Sequence, residues 1–142
     1  MTSRLKGRRR AAHRIIGDVA AWAAQEDKVR ALALVGSYAR GAERMANDVD
    51  LVVLSDTPES LDDAAWFEHL APGARLVRSQ EWGPVRERRF RLVSGLIVEL
   101  GIAPSNWAAV PLDQGTRRVL KDGHRVLYDT RLLGRATAAV AG

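Results

Sequence analysis

Asp48 and Asp50 stand one residue apart at the head of an apolar run that ends at Leu54. They follow a stretch, Gly36 to Gly41, in which two glycines bracket Ser-Tyr-Ala-Arg. If the run is a strand, alternate side chains share a face, so Asp48 and Asp50 project with Val52 while Val49, Leu51 and Val53 point the other way. The two carboxylates then lie about 6–7 Å apart along the strand. Like charges at that spacing are unfavourable unless a cation lies between them or one acid takes a proton. A divalent cation resolves the conflict, and an oxygen donor set without neighbouring His or Cys suits Mg²⁺ or Mn²⁺. Mg²⁺ commonly takes one or two carboxylates and completes its shell from substrate phosphates, so the pair implies a phosphate-bearing ligand.

The glycine stretch agrees with that ligand. Gly36 permits a tight turn and lets backbone N–H groups approach an anion, and Ser37 can begin a helical turn while adding a hydroxyl. Other phosphate and nucleophile motifs fail on inspection. Gly36 and Gly41 have P-loop spacing, but Ala42-Glu43 stands where Lys and Ser or Thr belong; there is no G-x-G-x-x-G, and Ser37 is not in a G-x-S-x-G elbow.

Gly36-Ser37, ten further residues and then Asp48-x-Asp50, with Ala39-Arg40-Gly41 between, resembles the signature of the nucleotidyltransferase superfamily that includes DNA polymerase β, in its small bacterial form. Asn47 departs from the Ser often found before the first aspartate. The resemblance spans roughly Val29 to Ile102. It implies a nucleotidyltransferase fold, Asp48 and Asp50 as catalytic metal ligands, and Gly36, Ser37 and Arg40 beside the nucleotide phosphates. Arg40 is equally suited to pairing with Glu43. A third carboxylate is implied on a later strand. Glu99, the lone acid in Leu96-Ile97-Val98-Glu99-Leu100, suits it, either as a metal ligand or as acceptor of the attacking hydroxyl's proton; Glu87 and Asp113 are next in line.

The implied reaction moves a nucleoside monophosphate, AMP from ATP by resemblance, onto a hydroxyl of a small molecule or protein and releases pyrophosphate. A specific version is the minimal antitoxin that adenylylates a toxin encoded beside it. A non-catalytic nucleotide- or partner-binding module is the alternative, against which the intact acids argue. The length leaves no room for the large helical substrate domain of many relatives, so a partner, a second copy or a small acceptor is expected to complete the site.

These residues need elements to position them. Helical periodicity marks residues from about Ala11 to Gln25, after a basic stretch, residues 1–10, expected as a mobile tail. Val29 to Val35 reads as a strand covered on both faces and Asp48 to Leu54 as a second strand. A helix capped by Ser60 runs through Trp66, Phe67 and Leu70. Ala74 to Arg78 is a short strand candidate, Glu81 to Pro84 a loop, and Arg86 to Val93 and Leu96 to Ile102 a hairpin about Ser94-Gly95. Asp113 to Lys121, Arg125 to Tyr128 and Leu132 to Val140 read as helix, strand and helix. The order predicts one α+β domain over residues 1–142, a small mixed sheet flanked by helices.

The 142 residues carry 22 Lys and Arg against 17 Asp and Glu, a net charge of +5 that favours anionic partners. The arginines of 86 to 91 suit either a triphosphate or polymer, or the guarding of an edge strand. Without a stacking motif, nucleic acid is not the expected partner; Trp82 alone could stack on a base. No cysteine is present, His13, His69 and His124 lack ligand spacing, and Arg8-Arg9-Arg10 precedes no apolar region of a signal. With no run long enough to cross a membrane, the cytoplasm is the expected address.

Overall fold

The computed structural model describes residues 3–40, 48–63 and 65–141, with residues 3–6 described by their backbone only. Helix α1 (Ser3–Gln25) leads into β1 (Ala31–Val35), the short helix α2 (Gly36–Ala39) and β2 (Asp48–Ser55). A 3-10 turn (Pro58–Leu61) and α3 (Ala65–Leu70) precede β3 (Arg75–Trp82), β4 (Val85–Arg91) and β5 (Ile97–Pro104). A second 3-10 turn (Ser105–Ala108), α4 (Gln114–Lys121), β6 (His124–Asp129) and α5 (Leu133–Ala141) follow. Among the described residues the strands form one six-stranded sheet in the order β3-β4-β5-β2-β1-β6. Its neighbours are antiparallel except β2 and β5, which run parallel. The fold is therefore α+β with a mixed sheet flanked by helices, as the order of elements predicts.

Each face of the sheet buries its own apolar layer. On one face Leu32, Leu34, Leu51, Val53, Val98 and Leu100 pack beneath Ile15 and Val19 of α1 and Phe67 of α3. Trp22 and Trp66 stack over that layer with ring centroids 3.8 Å apart, which joins the two helices. On the other face Ala33, Val52, Leu54 and Ala103 lie beneath Trp107, Leu120 and Leu133. β1 is covered on both sides, which is why its sequence is an unbroken apolar run.

Several boundaries differ from those read in the sequence. The basic stretch expected as a tail is helical from Ser3. Arg and Lys are good helix formers, and the Arg8 guanidinium lies against the β4–β5 turn, where a Cβ on Gly95 would stand 3.5 Å from its Nη2. The helix expected from Ser60 splits in two. Ser60 Oγ donates to the Thr57 carbonyl inside the 3-10 turn, and Asp63 Oδ1 accepts from Ala65 N–H to start α3. Glu81 and Trp82 belong to β3 rather than to a loop, because Gly83, at φ 58°, and Pro84 close a two-residue hairpin between Trp82 and Val85. β4 consequently lies inside the sheet, so its arginines guard no edge.

Phe67 is fully buried and meets Phe90 of β4 at a ring-centroid distance of 4.7 Å. Phe67→Ala should lower the free energy of urea unfolding by about 3–5 kcal/mol. A loss below about 1 kcal/mol would show that α3 contributes little to this layer.

Candidate active site

The site follows from the register of five strands. Val35 pairs with Asp50, Asp50 with Glu99, Glu99 with Arg89 and Arg89 with Arg78, which makes one transverse row across β1, β2, β5, β4 and β3. Directly opposed residues share a face, so this row projects away from α1. Asp48 lies two residues before Asp50 on the same face. The apolar cover of that face extends over Ala33, Val35, Val52, Leu54 and Ala103 and does not take in Asp50 or Glu99. Beyond it a cleft of about 840 Å³ opens between the sheet, the β3–β4 hairpin and α4, with Gly36, Arg40, Asp50, Trp82, Glu87 and Glu99 among its lining residues.

Gly36 sits where β1 turns into α2. Its φ of 74° is readily adopted only by glycine, and a Cβ there would stand 2.5 Å from Asp50 Oδ2. Two requirements, backbone conformation and clearance for the Asp50 carboxylate, thus meet at one residue. Arg40 closes α2 with its N–H donating to the Gly36 carbonyl, and its guanidinium donates to the Asp122 carbonyl at 3.2 Å, across the cleft at the end of α4. Ser37 follows Gly36 in α2 but does not line the cleft, nor does Asp48. Gly41, Glu43 and Asn47 lie outside the described residues.

Three acids on one face create an electrostatic conflict. Asp50 is largely buried, lies beside Glu99, and feels the charges of Glu99, Asp48 and Glu87. Burial first, then the neighbouring acids, push its carboxyl up to about 7. Among the described residues its Oδ1 is buried without a hydrogen-bond partner. The other two acids are held by arginine. Arg89 Nη1 lies 3.0 Å from Glu99 Oε1, and its Nη2 lies 3.3 Å from Asp48 Oδ2. Arg78 Nη2 binds Glu87 at 2.6 Å and reaches Glu99 Oε1 at 3.7 Å.

As they stand, no three acidic or histidine side chains among the described residues enclose an ion. The donor set nevertheless fits a hard divalent cation. It consists of carboxylate oxygens on one face, one of them buried and unsatisfied, and it carries more negative charge than a single guanidinium offsets.

Sequence reasoning missed the roles of Arg78 and Arg89. Four arginines in six residues look alike as a string. Alternation separates them: Arg86 and Arg88 point to the opposite face and both bind Asp62 at 2.7 Å, while Arg89 shares the face of Glu99. The bulge between Leu76 and Arg78 brings Arg78 opposite Arg89, and no sequence signal marks it. Asp113 caps α4 by accepting from Gly115 N–H and also borders the cleft.

A family model described as a nucleotidyltransferase domain matches residues 21–94, slightly more than half of the chain. The match takes in Gly36, Ser37, Arg40, Asp48, Asp50 and Arg89, and ends before Glu99. No curated protein matches the chain.

The Asp50 carboxyl gives the site a pH signature. Between its ordinary 3.8 and about 7 the folded protein holds a proton that the unfolded chain has released. This contribution to stability is fully present below about 3.8 and is lost as pH rises through about 7. In EDTA, Asp50→Asn should therefore be as stable as wild type near pH 4 and more stable above pH 7, by roughly 2–4 kcal/mol. Unfolding curves across that range measure the difference, and a gap that stays constant with pH would refute the protonation assignment.

Proposed function

The chain belongs to the nucleotidyltransferase domain family, and from that premise we propose that it transfers AMP from ATP to a hydroxyl of a small molecule or protein, in a reaction that depends on Mg²⁺ or Mn²⁺. The observation that carries this reading is the register in which Asp50 faces Glu99 from the neighbouring parallel strand, at the mouth of a cleft that begins at Gly36.

Asp48, Asp50 and Glu99 would hold the metal, which when bound supplies positive charge against the triphosphate and the developing charge on the reacting oxygens. The chain's own residues do the rest. Gly36 leaves room for the Asp50 carboxylate directly beside the turn into α2. Arg40, anchored to the C-terminal end of α4, offers a cation in the cleft to the phosphates. Glu99, beside Asp50 on the neighbouring strand, would bind the metal or accept the hydroxyl proton as the nucleophile attacks. Trp82, Pro84, Val85 and Trp107 give the cleft an apolar wall. The Trp82 indole is oriented by donation from its Nε1 to Glu87 and is suited to a nucleobase or to an apolar part of the acceptor.

The dimensions agree with a ligand of nucleotide size, since small-molecule sites commonly enclose about 300–1,000 Å³. The acceptor enters where the β3–β4 hairpin and α4 leave the cleft open. A neighbouring-gene product, a small metabolite or a second copy of this chain can each present a hydroxyl there.

Incubation with α-labelled ATP, Mg²⁺ and either a cell lysate or the product of a neighbouring gene tests the proposal. Wild type should label an acceptor, and Asp50→Ala should reduce labelling by at least about a hundredfold. Equal labelling by the two proteins would remove the catalytic assignment, and GTP outcompeting ATP would replace the nucleotide.

A further inference from the structure

We infer that Arg89 is a resident counter-ion of the acid cluster, displaced when a divalent cation binds, so that metal loading exchanges one cation for another. The inference rests on the reading of Asp48, Asp50 and Glu99 as metal ligands, and it adds a residue to which that reading gives no role.

The geometry is that of a fork across two separate acids. Different nitrogens of one guanidinium reach Glu99 Oε1 at 3.0 Å and Asp48 Oδ2 at 3.3 Å. These are the outer members of the cluster, and Asp50 stands between them with a buried oxygen that no described residue satisfies. Arginine stays charged at any pH the protein meets, so this pairing is not relieved by loss of a proton. A competing cation can displace it. A divalent ion carries twice the charge in a compact volume and can reach Asp50, which the planar guanidinium does not engage.

The surroundings allow the exchange. Backbone pairing with Glu99 fixes Arg89 on β4, so only its side chain has to move. That side chain is 29% exposed and has solvent on its route out. Glu87, two residues along β4 and on the same face, is the nearest alternative partner and is now held by Arg78 at 2.6 Å. Arg78 also touches Glu99, at 3.7 Å, so the two arginines and two glutamates form a chain in which pairings can shift without stranding a charge.

Mn²⁺ binding without nucleotide, followed by the paramagnetic resonance of the free ion, tests the exchange in wild type, Arg89→Met, and each of these combined with Asp50→Asn. Arg89→Met should bind Mn²⁺ at least about fivefold more tightly than wild type, and Asp50→Asn should abolish the gain. In wild type, the Nε–Hε resonance of Arg89, identified by its absence in Arg89→Lys, should shift as Mg²⁺ is added. Unchanged or weaker Mn²⁺ binding by folded Arg89→Met, alongside Asp50-dependent binding in wild type, would overturn the counter-ion role alone. Absence of Asp50-dependent binding in both backgrounds would overturn the metal site as well. Should Arg89→Met not fold, the wild-type resonance decides, and a signal unmoved by saturating Mg²⁺ counts against the exchange.

Discussion

Repulsion among Asp48, Asp50 and Glu99 is the constraint around which this half of the molecule is arranged. Parallel pairing of β2 with β5 sets Asp50 beside Glu99, and strand periodicity adds Asp48 to the same face. Three carboxylates so placed cannot all be ionised cheaply in a partly buried setting. The structure answers in two ways. Asp50 keeps its proton up to about 7, and Arg89 bridges the other two acids and offsets part of their charge. Both answers are provisional in chemical terms, since a proton and an arginine side chain can leave while the backbone that gathers the acids stays in place.

The remainder of the fold supplies that fixed backbone. The face opposite the acids is a continuous apolar layer beneath α1 and α3, and it contributes most of the burial that offsets chain entropy. The acid-bearing face is only partly covered: α4, α5 and the second 3-10 turn pack over Val52 and Ala103 and leave the row of Asp50 and Glu99 uncovered. Gly101, two residues beyond Glu99 on the same face, keeps the cleft floor low, because a Cβ there would come within 3.2 Å of Val85 Cγ1. The acid-bearing face thus combines a smaller apolar layer with an open cleft, while the opposite face is wholly covered.

Much of this was legible in the sequence because local rules govern it. Alternation in the run from Asp48 places both aspartates on one face, and the lone acid among apolar residues at Glu99 marks a sheet position that tolerates charge for a reason. The hairpin at Ser94-Gly95 was equally readable, since turn chemistry acts within a few residues. What escaped depends on partners distant in sequence. The break between the 3-10 turn and α3 accompanies the capture of Asp62 by Arg86 and Arg88, 24 and 26 residues away. Whether β4 is an edge or an inner strand depends on β3 continuing through Trp82, a segment whose exposed, mixed side chains carry little periodic signal. Arg89 could not be told from its neighbours until pairing with Glu99 supplied the register.

That distinction bears on how the site is kept ready. Local rules place the carboxylates, but a long-range pairing holds them quiet, and the two can be altered independently. Removing an acid relieves the repulsion; removing Arg89 leaves the carboxylates and raises the cost of keeping them together. An Asp50 oxygen that stays buried and unsatisfied is an unspent interaction, and any ion or proton that satisfies it stabilises the folded chain in proportion to its preference for that state. Protonation and fold stability are therefore linked at this carboxylate. A protein arranged in this way should be less stable, above the pH at which Asp50 ionises, than its apolar layers alone would make it.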